Sequence, residues 1–330
     1  METTTNQPVV SIVMPTYNSE ATLPNTLDSL LQQSTNFSYE IILVDDGSSD
    51  NTNQIEAKYA NQYPNVKLFQ QNHRFQAEAR NLGIKNAQGK YLMFCDDDDL
   101  YQPTFVDQMV KSVRGQKLVI AGIEKKFADN HVVMETHSAL ENSTSNVELI
   151  GNYLTKNAEL DVGLWNKIFR LDLIKKNSVI MSNDNFFEDS LFVLNYLQLI
   201  NYQEIAYLHE PLYILNKHQG STTNSYDPSL LTKCENYIQM VEKMLQRQPK
   251  LFAYFPGFQN RIYLFYLHRN ILNNPQWDIR KETHLLQTSW QSLKYLPRNY
   301  QVAIIGIKLF PRLYSHLYQT KNGVNREKIH

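Results

Sequence analysis

Short runs of consecutive apolar, strand-forming residues alternate with stretches in which apolar residues recur every three or four positions. Residues 9–14, 41–44, 66–69 and 91–95 are the runs, each bounded by turn-forming residues, and they predict buried strands. Between them, residues 20–33 place Leu23, Leu27, Leu30 and Leu31 on one helical face. A cap-rich turn at 45–50 leads into a helix carrying Ile55 and Tyr59, and residues 75–88 read as a third helix, with Gly89 a candidate left-handed cap. Strand and helix alternate at intervals of about 25 residues, which predicts a parallel α/β sheet with crossover helices.

In such sheets ligands bind beyond the carboxyl ends of the strands. The polar clusters at 16–18, 45–50 and 96–99 all follow strand ends, so chain order brings them to one edge. The last cluster is four consecutive aspartates, Asp96, Asp97, Asp98 and Asp99. They fit within roughly 14 Å of extended chain, where they repel unless a cation joins them or some take up protons. Mg²⁺ and Mn²⁺ suit such oxygen ligands. In extended chain Asp96 and Asp98 would face one way and Asp97 and Asp99 the other. The alternative is an acidic loop with a capping aspartate for the next helix. No G-x-G-x-x-G follows the first strand and no P-loop occurs.

Further along, residues 103–113 and 147–156 read as helices, and 117–127 and 131–136 as two strands. Residues 164–170 continue into a mixed apolar and basic helix. Glu188 and Asp189 precede an apolar helix, where they would complement the helix dipole even without another role. Strands are expected at 205–208 and 212–215 around Pro211, followed by a polar loop at 218–223. From residue 226 long helical patterns run to 247, then 258–272, 280–295 and 300–318, which sets a domain boundary near 225.

The 330 residues suit one large domain or two smaller ones. Charge is balanced, 32 basic against 33 acidic side chains, which removes the simplest argument for a nucleic-acid partner. Two cysteines, Cys95 and Cys234, give neither a disulfide framework nor a zinc spacing and favour a reducing, cytoplasmic setting. Residues 1–8 lack a signal-peptide pattern, and no run of about 18 apolar residues predicts a membrane span.

Several segments, in order, resemble the family 2 glycosyltransferases of GT-A fold over about the first 220 residues: Val10 to Asn18, Glu40 to Asp50, Ala79 to Ile84 with Ala87-Gln88-Gly89, the four aspartates at the place of a D-x-D metal motif, Trp165 to Arg170, and Glu188-Asp189. The resemblance implies a GT-A nucleotide-sugar-binding domain over 1–225, with a mostly parallel sheet flanked by helices, and a helical C-terminal region over 226–330. It implies inverting transfer of a sugar from a nucleotide diphosphate sugar, usually a UDP-sugar, to a hydroxyl of a cell-envelope polysaccharide, teichoic acid, lipid-linked or other glycan acceptor. The enzyme would be a metal-dependent hexosyl- or N-acetylhexosaminyltransferase using Mn²⁺ or Mg²⁺. Carried over residue by residue, Asp98 with Asp96 would hold the metal, and Asp189, with Glu188 close behind, would be the base. Pro15, Tyr17 and Glu20 would lie beside the base or ribose of the donor. Asp45 or Asp46 would accept from uracil N3–H, Arg80 would lie near the uridine or its phosphates, and Asp96 and Asp97 would complete the donor site. Arg80 otherwise reads as a surface ion pair with Glu78.

Asn72-His73-Arg74 departs from the family's usual Asn-x-Gly, and Arg74 either meets the donor phosphates or points into solvent. Trp165 reads as core or as a floor for a sugar ring, and His218 as a diphosphate contact or a solvated loop residue. Residues 226–330 carry no catalytic signal. Packing, self-association, an acceptor platform and, for 300–318, contact with the inner face of the cell membrane stay open for them. Two other functions compete. A nucleotidyltransferase would call for a glycine-rich phosphate loop where Pro15-Thr16-Tyr17-Asn18 stands. A non-catalytic nucleotide-sugar-binding module would not need Asp96, Asp98, Glu188 and Asp189 all intact.

Overall fold

All four apolar runs form strands in a computed structural model that describes residues 7–183, 186–217, 226–274 and 277–322. They are β1 (Val10–Thr16), β2 (Tyr39–Asp45), β3 (Val66–Gln70) and β4 (Tyr91–Phe94). β1 pairs in parallel with β2 and β4, and β2 with β3. Between them lie α1 (Leu23–Leu31), α2 (Thr52–Gln62) and α3 (Phe75–Asn86). Gly89 is not a left-handed cap, since only Gly47 and Gly115 among the described glycines have positive φ. Gly89 answers a close approach instead: a Cβ there would stand 2.6 Å from the Ser11 backbone nitrogen on β1.

The chain then runs through β5 (Leu100–Tyr101), α4 (Phe105–Ser112), β6 (Leu118–Phe127), β7 (Val132–Glu135), α5 (Asn146–Lys156) and α6 (Glu159–Val162). Where a helix was expected from residue 164, Lys167–Arg170 is a strand, β8, antiparallel to both β4 and β6. Ile168 and Phe169 are both fully buried, as a central strand covered on two faces requires. Such a run has no period to separate it from a helix. α7 (Leu171–Lys176) and α8 (Glu188–Leu197) follow.

The two strands expected around Pro211 are one, β9 (Ile205–Lys217). The pairing register with β6 shifts on either side of Gly122, so Pro211 sits at an irregularity where its missing N–H breaks no regular ladder. The strand order is β3-β2-β1-β4-β8-β6-β9-β5, with β7 on β6. The sheet is therefore mixed, parallel through β1–β4 and antiparallel where β8 joins them.

The strands and α1–α4 and α6–α8 form one compact unit, to Asn146 and again from Ala158. Val147–Asn157 groups with the described residues from 226 onward in a second unit, so α5 falls outside the unit that a boundary near 225 would give it. There Gly151 of α5 lies against Tyr254, whose ring carbon would meet an added Cβ at 2.3 Å. The second unit continues with α9 (Leu230–Leu245), α10 (Pro249–Phe252) and α11 (Phe255–Asn273). The helix expected at 280–295 is instead two 3₁₀ turns, Ile279–Lys281 and Thr283–Leu285, and α12 (Trp290–Leu293). The side chains of Asp278 and Ser289 accept from Arg280 N and Ser292 N and start these short pieces separately. The pattern at 300–318 divides into α13 (Arg298–Leu309) and α14 (Pro311–Lys321), because Pro311 cannot continue a helix but suits its first turn.

Candidate active site

The loops after β1, β2 and β4 are tied together at one end of the sheet. Tyr17 N donates to Asp97 Oδ2 (3.1 Å), Asn18 N to Ser48 Oγ (3.0 Å), Ser49 N to Asn18 Oδ1 (2.8 Å) and Glu20 N to Asp50 Oδ2 (3.2 Å). The convergence expected from chain order is thus present in the structure. Gly47, at φ +82°, lets the second loop turn: a Cβ would stand 3.0 Å from His73 N.

The expected donor residues divide by what they touch. Asp45 lines a cavity of ≈ 560 Å³ together with Gly47, Ser48, Asn53, Gln71 and Arg74, among others. Its Oδ1 accepts from Ser48 N at 3.1 Å. Asp46 is committed elsewhere: Oδ1 accepts from Arg74 N and Gln71 Nε2, both at 2.7 Å, and Oδ2 lies 2.8 Å from His73 Nδ1. Asp46 therefore fixes the 71–74 loop, and that loop brings Arg74 to the cavity wall. Pro15 is buried in β1. Tyr17 is exposed and stacks on His73 with ring centroids 4.4 Å apart. Glu20 Oε2 accepts from Asn51 N (2.9 Å) and Asn51 Nδ2 (2.7 Å), which secures the start of α2.

The aspartates do not run extended. β4 ends at Phe94, and Asp99 N donates back to Asp96 O (3.3 Å), so Asp96 to Asp99 is a turn and strand alternation does not apply. Asp99 is buried with both oxygens engaged, Oδ2 by the Tyr213 hydroxyl and Oδ1 by Asn216 N, each at 2.7 Å. Asn216 Nδ2 also donates to the Asp98 carbonyl (2.6 Å). Trp165 is buried and stacks on Tyr213 (4.8 Å), so of its two readings the structure gives core packing beneath this turn.

Arg80 joins the two acidic sites. It is buried, not paired at the surface with Glu78. Its Nη2 donates to Asp96 Oδ1 and its Nη1 to Asp189 Oδ1, both at 2.7 Å. Asp96 and Asp189 thereby meet through one guanidinium, although Asp189 lies 109 positions beyond Arg80 in the chain. Asp189 and Glu188 stand in the first turn of α8, so dipole complementarity applies as well. Burial, then the charges of Glu188 and Asp96, push the Asp189 carboxyl above the usual range against the pull of Arg80. Glu188 is buried, with Oε2 unpaired among the described residues.

Hard oxygen donors and trapped negative charge suit a divalent cation here. Burial and the charges of Asp98 and Asp96 push the Asp97 carboxyl up to about 7 against the Tyr17 N–H. Burial and the same neighbours raise Asp99. Asp96 keeps its second oxygen clear of Arg80. Sequence reasoning missed Tyr213 and Asn216, whose approach depends on a β5–β9 pairing that no local pattern reports. It also missed Glu56, fully buried on α2, where Thr16 Oγ1 donates to it (2.6 Å) and burial pushes it up to about 8. A separate group, His137, Glu141 and His209, brings three ligand atoms within 4.8 Å of one another. Both imidazoles there are exposed, and Glu141 already accepts from Ser138 N. The diphosphate contact considered for His218 lies outside the described residues.

The family model described as glycosyl transferase family 2 matches residues 11–179, just over half of the chain. A cholesterol galactosyltransferase of Borreliella burgdorferi is 27% identical over 263 residues, covering 75% of this chain and 70% of its own. Among solved structures, TarS residues 1–349 of S. aureus in complex with UDP-GlcNAc superimposes with a TM-score of 0.59 at 19% identity, covering 96% of this chain and 93% of that one. A mannosyltransferase of Pyrobaculum calidifontis in complex with GDP-Man and Mn²⁺ gives 0.51 at 14% identity, with 98% and 89% covered. These two likenesses establish the shared α/β fold, that of the GT-A glycosyltransferases.

Proposed function

The chain belongs to glycosyl transferase family 2, and on that premise we propose that it moves a hexosyl or N-acetylhexosaminyl group from a UDP-sugar to a hydroxyl of a cell-envelope glycan or lipid-linked acceptor. The transfer inverts the anomeric centre. The observation that carries this reading is the Arg80 bridge, which puts the carboxylate suited to the diphosphate side and the carboxylate suited to the acceptor on one buried cation.

The acceptor hydroxyl gives its proton to Asp189 as it attacks. Arg80 holds Asp189 Oδ1 in place, leaving Oδ2 toward the acceptor, and the neighbouring Glu188 charge keeps the group basic. Asp45 accepts the uracil ring N–H, a buried hydrogen bond that discriminates among bases. Tyr17 flanks the nucleoside from the loop that the buried Pro15 anchors in β1, Glu20 supports it through the start of α2, and Arg74 faces the phosphates from the cavity wall. Asp98 and Asp96 would hold Mn²⁺ or Mg²⁺, with Asp97 behind them, and the ion when bound offsets the charge growing on the leaving diphosphate. Two free, buried cysteines without a disulfide spacing support a reaction on the cytoplasmic side of the cell membrane.

The test is a panel of UDP-, GDP-, CDP- and dTDP-sugars with Mn²⁺ or Mg²⁺, scored for release of the nucleoside diphosphate with and without chelator. UDP release that disappears with chelator and in Asp98→Asn is expected. Nucleotide binding without turnover of any donor would make the chain a binding module and refute the proposal.

A further inference from the structure

α13 and α14 are apolar on more than the side they pack. On α13, Ala303, Ile304 and Ile307 are buried, which already accounts for the attachment of that helix. Yet Val302, Ile305, Leu309, Phe310, Leu313 and Leu317 are between 41 and 69 % exposed. Their spacing of one, three or four residues repeats across the Pro311 break, so large apolar side chains recur along the outside of both helices. A helix turned toward water is ordinarily polar on that face. A run of this kind is more than the single exposed leucines that any surface carries.

Charge narrows what can cover it. From Thr283 to Arg326 the chain contains no Asp or Glu, against six Lys and Arg. Arg298, Lys308, Arg312 and Lys321 of these helices are all exposed. Asp278, whose charge reaches Arg312, is held by Arg280 through Nε and Nη2. A second copy pairing through the same face would set these cations against their own counterparts with no carboxylate from 283–326 to offset them. Anionic lipid headgroups offset them, while the acyl boundary takes the apolar side chains. Neither helix spans a bilayer: they have 12 and 11 residues, and no helix among those described is long and apolar enough to cross.

We propose that α13 and α14 form a docking surface for an anionic lipid bilayer, lying in its interface with the leucine-rich face inward and the basic side chains at the headgroups. The surface goes beyond the transfer reaction and draws on none of its residues.

Co-sedimentation of the full chain with vesicles tests it, using phosphatidylglycerol–phosphatidylcholine mixtures against phosphatidylcholine alone. At least about tenfold tighter binding to the anionic vesicles is expected, falling severalfold as salt rises and the Debye length shrinks. The double variant Ile305→Asp/Leu309→Asp should lose nearly all binding. Lys308→Glu/Arg312→Glu should lose the preference for anionic lipid. Circular dichroism and melting of each variant show whether it is folded, and light scattering reports self-association. Binding that persists in both folded double variants overturns the proposal. So does a wild-type chain that ignores vesicles but forms a dimer broken by Ile305→Asp/Leu309→Asp, which would assign the face to a second copy. No sugar donor is present, so the result is independent of the transfer chemistry.

Discussion

The two units hold opposite kinds of imbalance. The first gathers carboxylates inward: Asp99, Glu188 and Glu56 are buried and Asp96, Asp97 and Asp189 half-buried, with the buried Arg80 as the cation between two of them. The second, from Thr283 to Arg326, contains no carboxylate and turns leucine, isoleucine and phenylalanine outward. Buried like charges and exposed apolar stripes are both poor choices for stability alone. In the two proposals above, each is a surface built for something outside the chain, the first for a nucleotide sugar with its cation and the second for a lipid boundary.

If buried charge in the first unit is structural as well as chemical, the largest effect is expected at Arg80. Arg80→Met leaves Asp96 and Asp189 facing each other without a cation, and loss of one partner from a buried pair typically costs about 3–5 kcal/mol. Calorimetry should show a large fall in melting temperature together with loss of transfer. An unchanged melt would mean the two carboxylates do not depend on it.

Next is a pH effect at Glu56. Its folded pKa, about 8, lies above the ordinary 4.5. The folded form therefore binds the proton more tightly, and its contribution is complete below about 4.5 and lost as pH rises toward about 8. At about 1.4 kcal/mol per unit this amounts to a few kcal/mol. In chelator, Glu56→Gln should flatten the stability–pH curve between pH 5 and 8, with its greatest relative stabilisation at the alkaline end. Parallel curves for the two proteins would remove the assignment.

Asp45→Asn should weaken donor binding about 10- to 100-fold, the loss of one buried hydrogen bond, and narrow the preference for UDP over CDP. Equal affinities in a calorimetric titration would exclude Asp45 from base recognition. The smallest effect is expected in the second unit. Because Ile305 and Leu309 are exposed, Ile305→Asp/Leu309→Asp should change folding stability by only about 0.5 kcal/mol. A large loss would show that this face is packed rather than presented.

The same contrast explains what the sequence disclosed. Strands β1–β4 were legible because their apolar runs end in turn chemistry, and the polar clusters at their ends met as chain order requires. The sequence singled out Asp96, Asp98, Glu188 and Asp189, but not the bridge that Arg80 makes between Asp96 and Asp189. Arg80 reaches both acidic sites only because α3, β4 and α8 fold together, and its neighbour Glu78 offered a plausible local partner. β8 was misread because a two-faced central strand has no period. Pro211 suggested a break within β9 because a bulge opposite Gly122 cannot be seen locally. In the second unit the pattern at 300–318 read as one helix although Pro311 divides it, because the apolar spacing continues across the proline, and the short caps at Asp278 and Ser289 were hidden within an apparently helical pattern.

In the proposed reaction Asp189 acts on the acceptor while the donor side is held separately. The most direct measurement is transfer by Asp189→Asn beside UDP-sugar binding by the same protein. A 10²- to 10⁴-fold fall in kcat, the usual range for loss of a positioned base, with donor affinity within about twofold of the unaltered chain, is the predicted result. Full transfer by Asp189→Asn would contradict it.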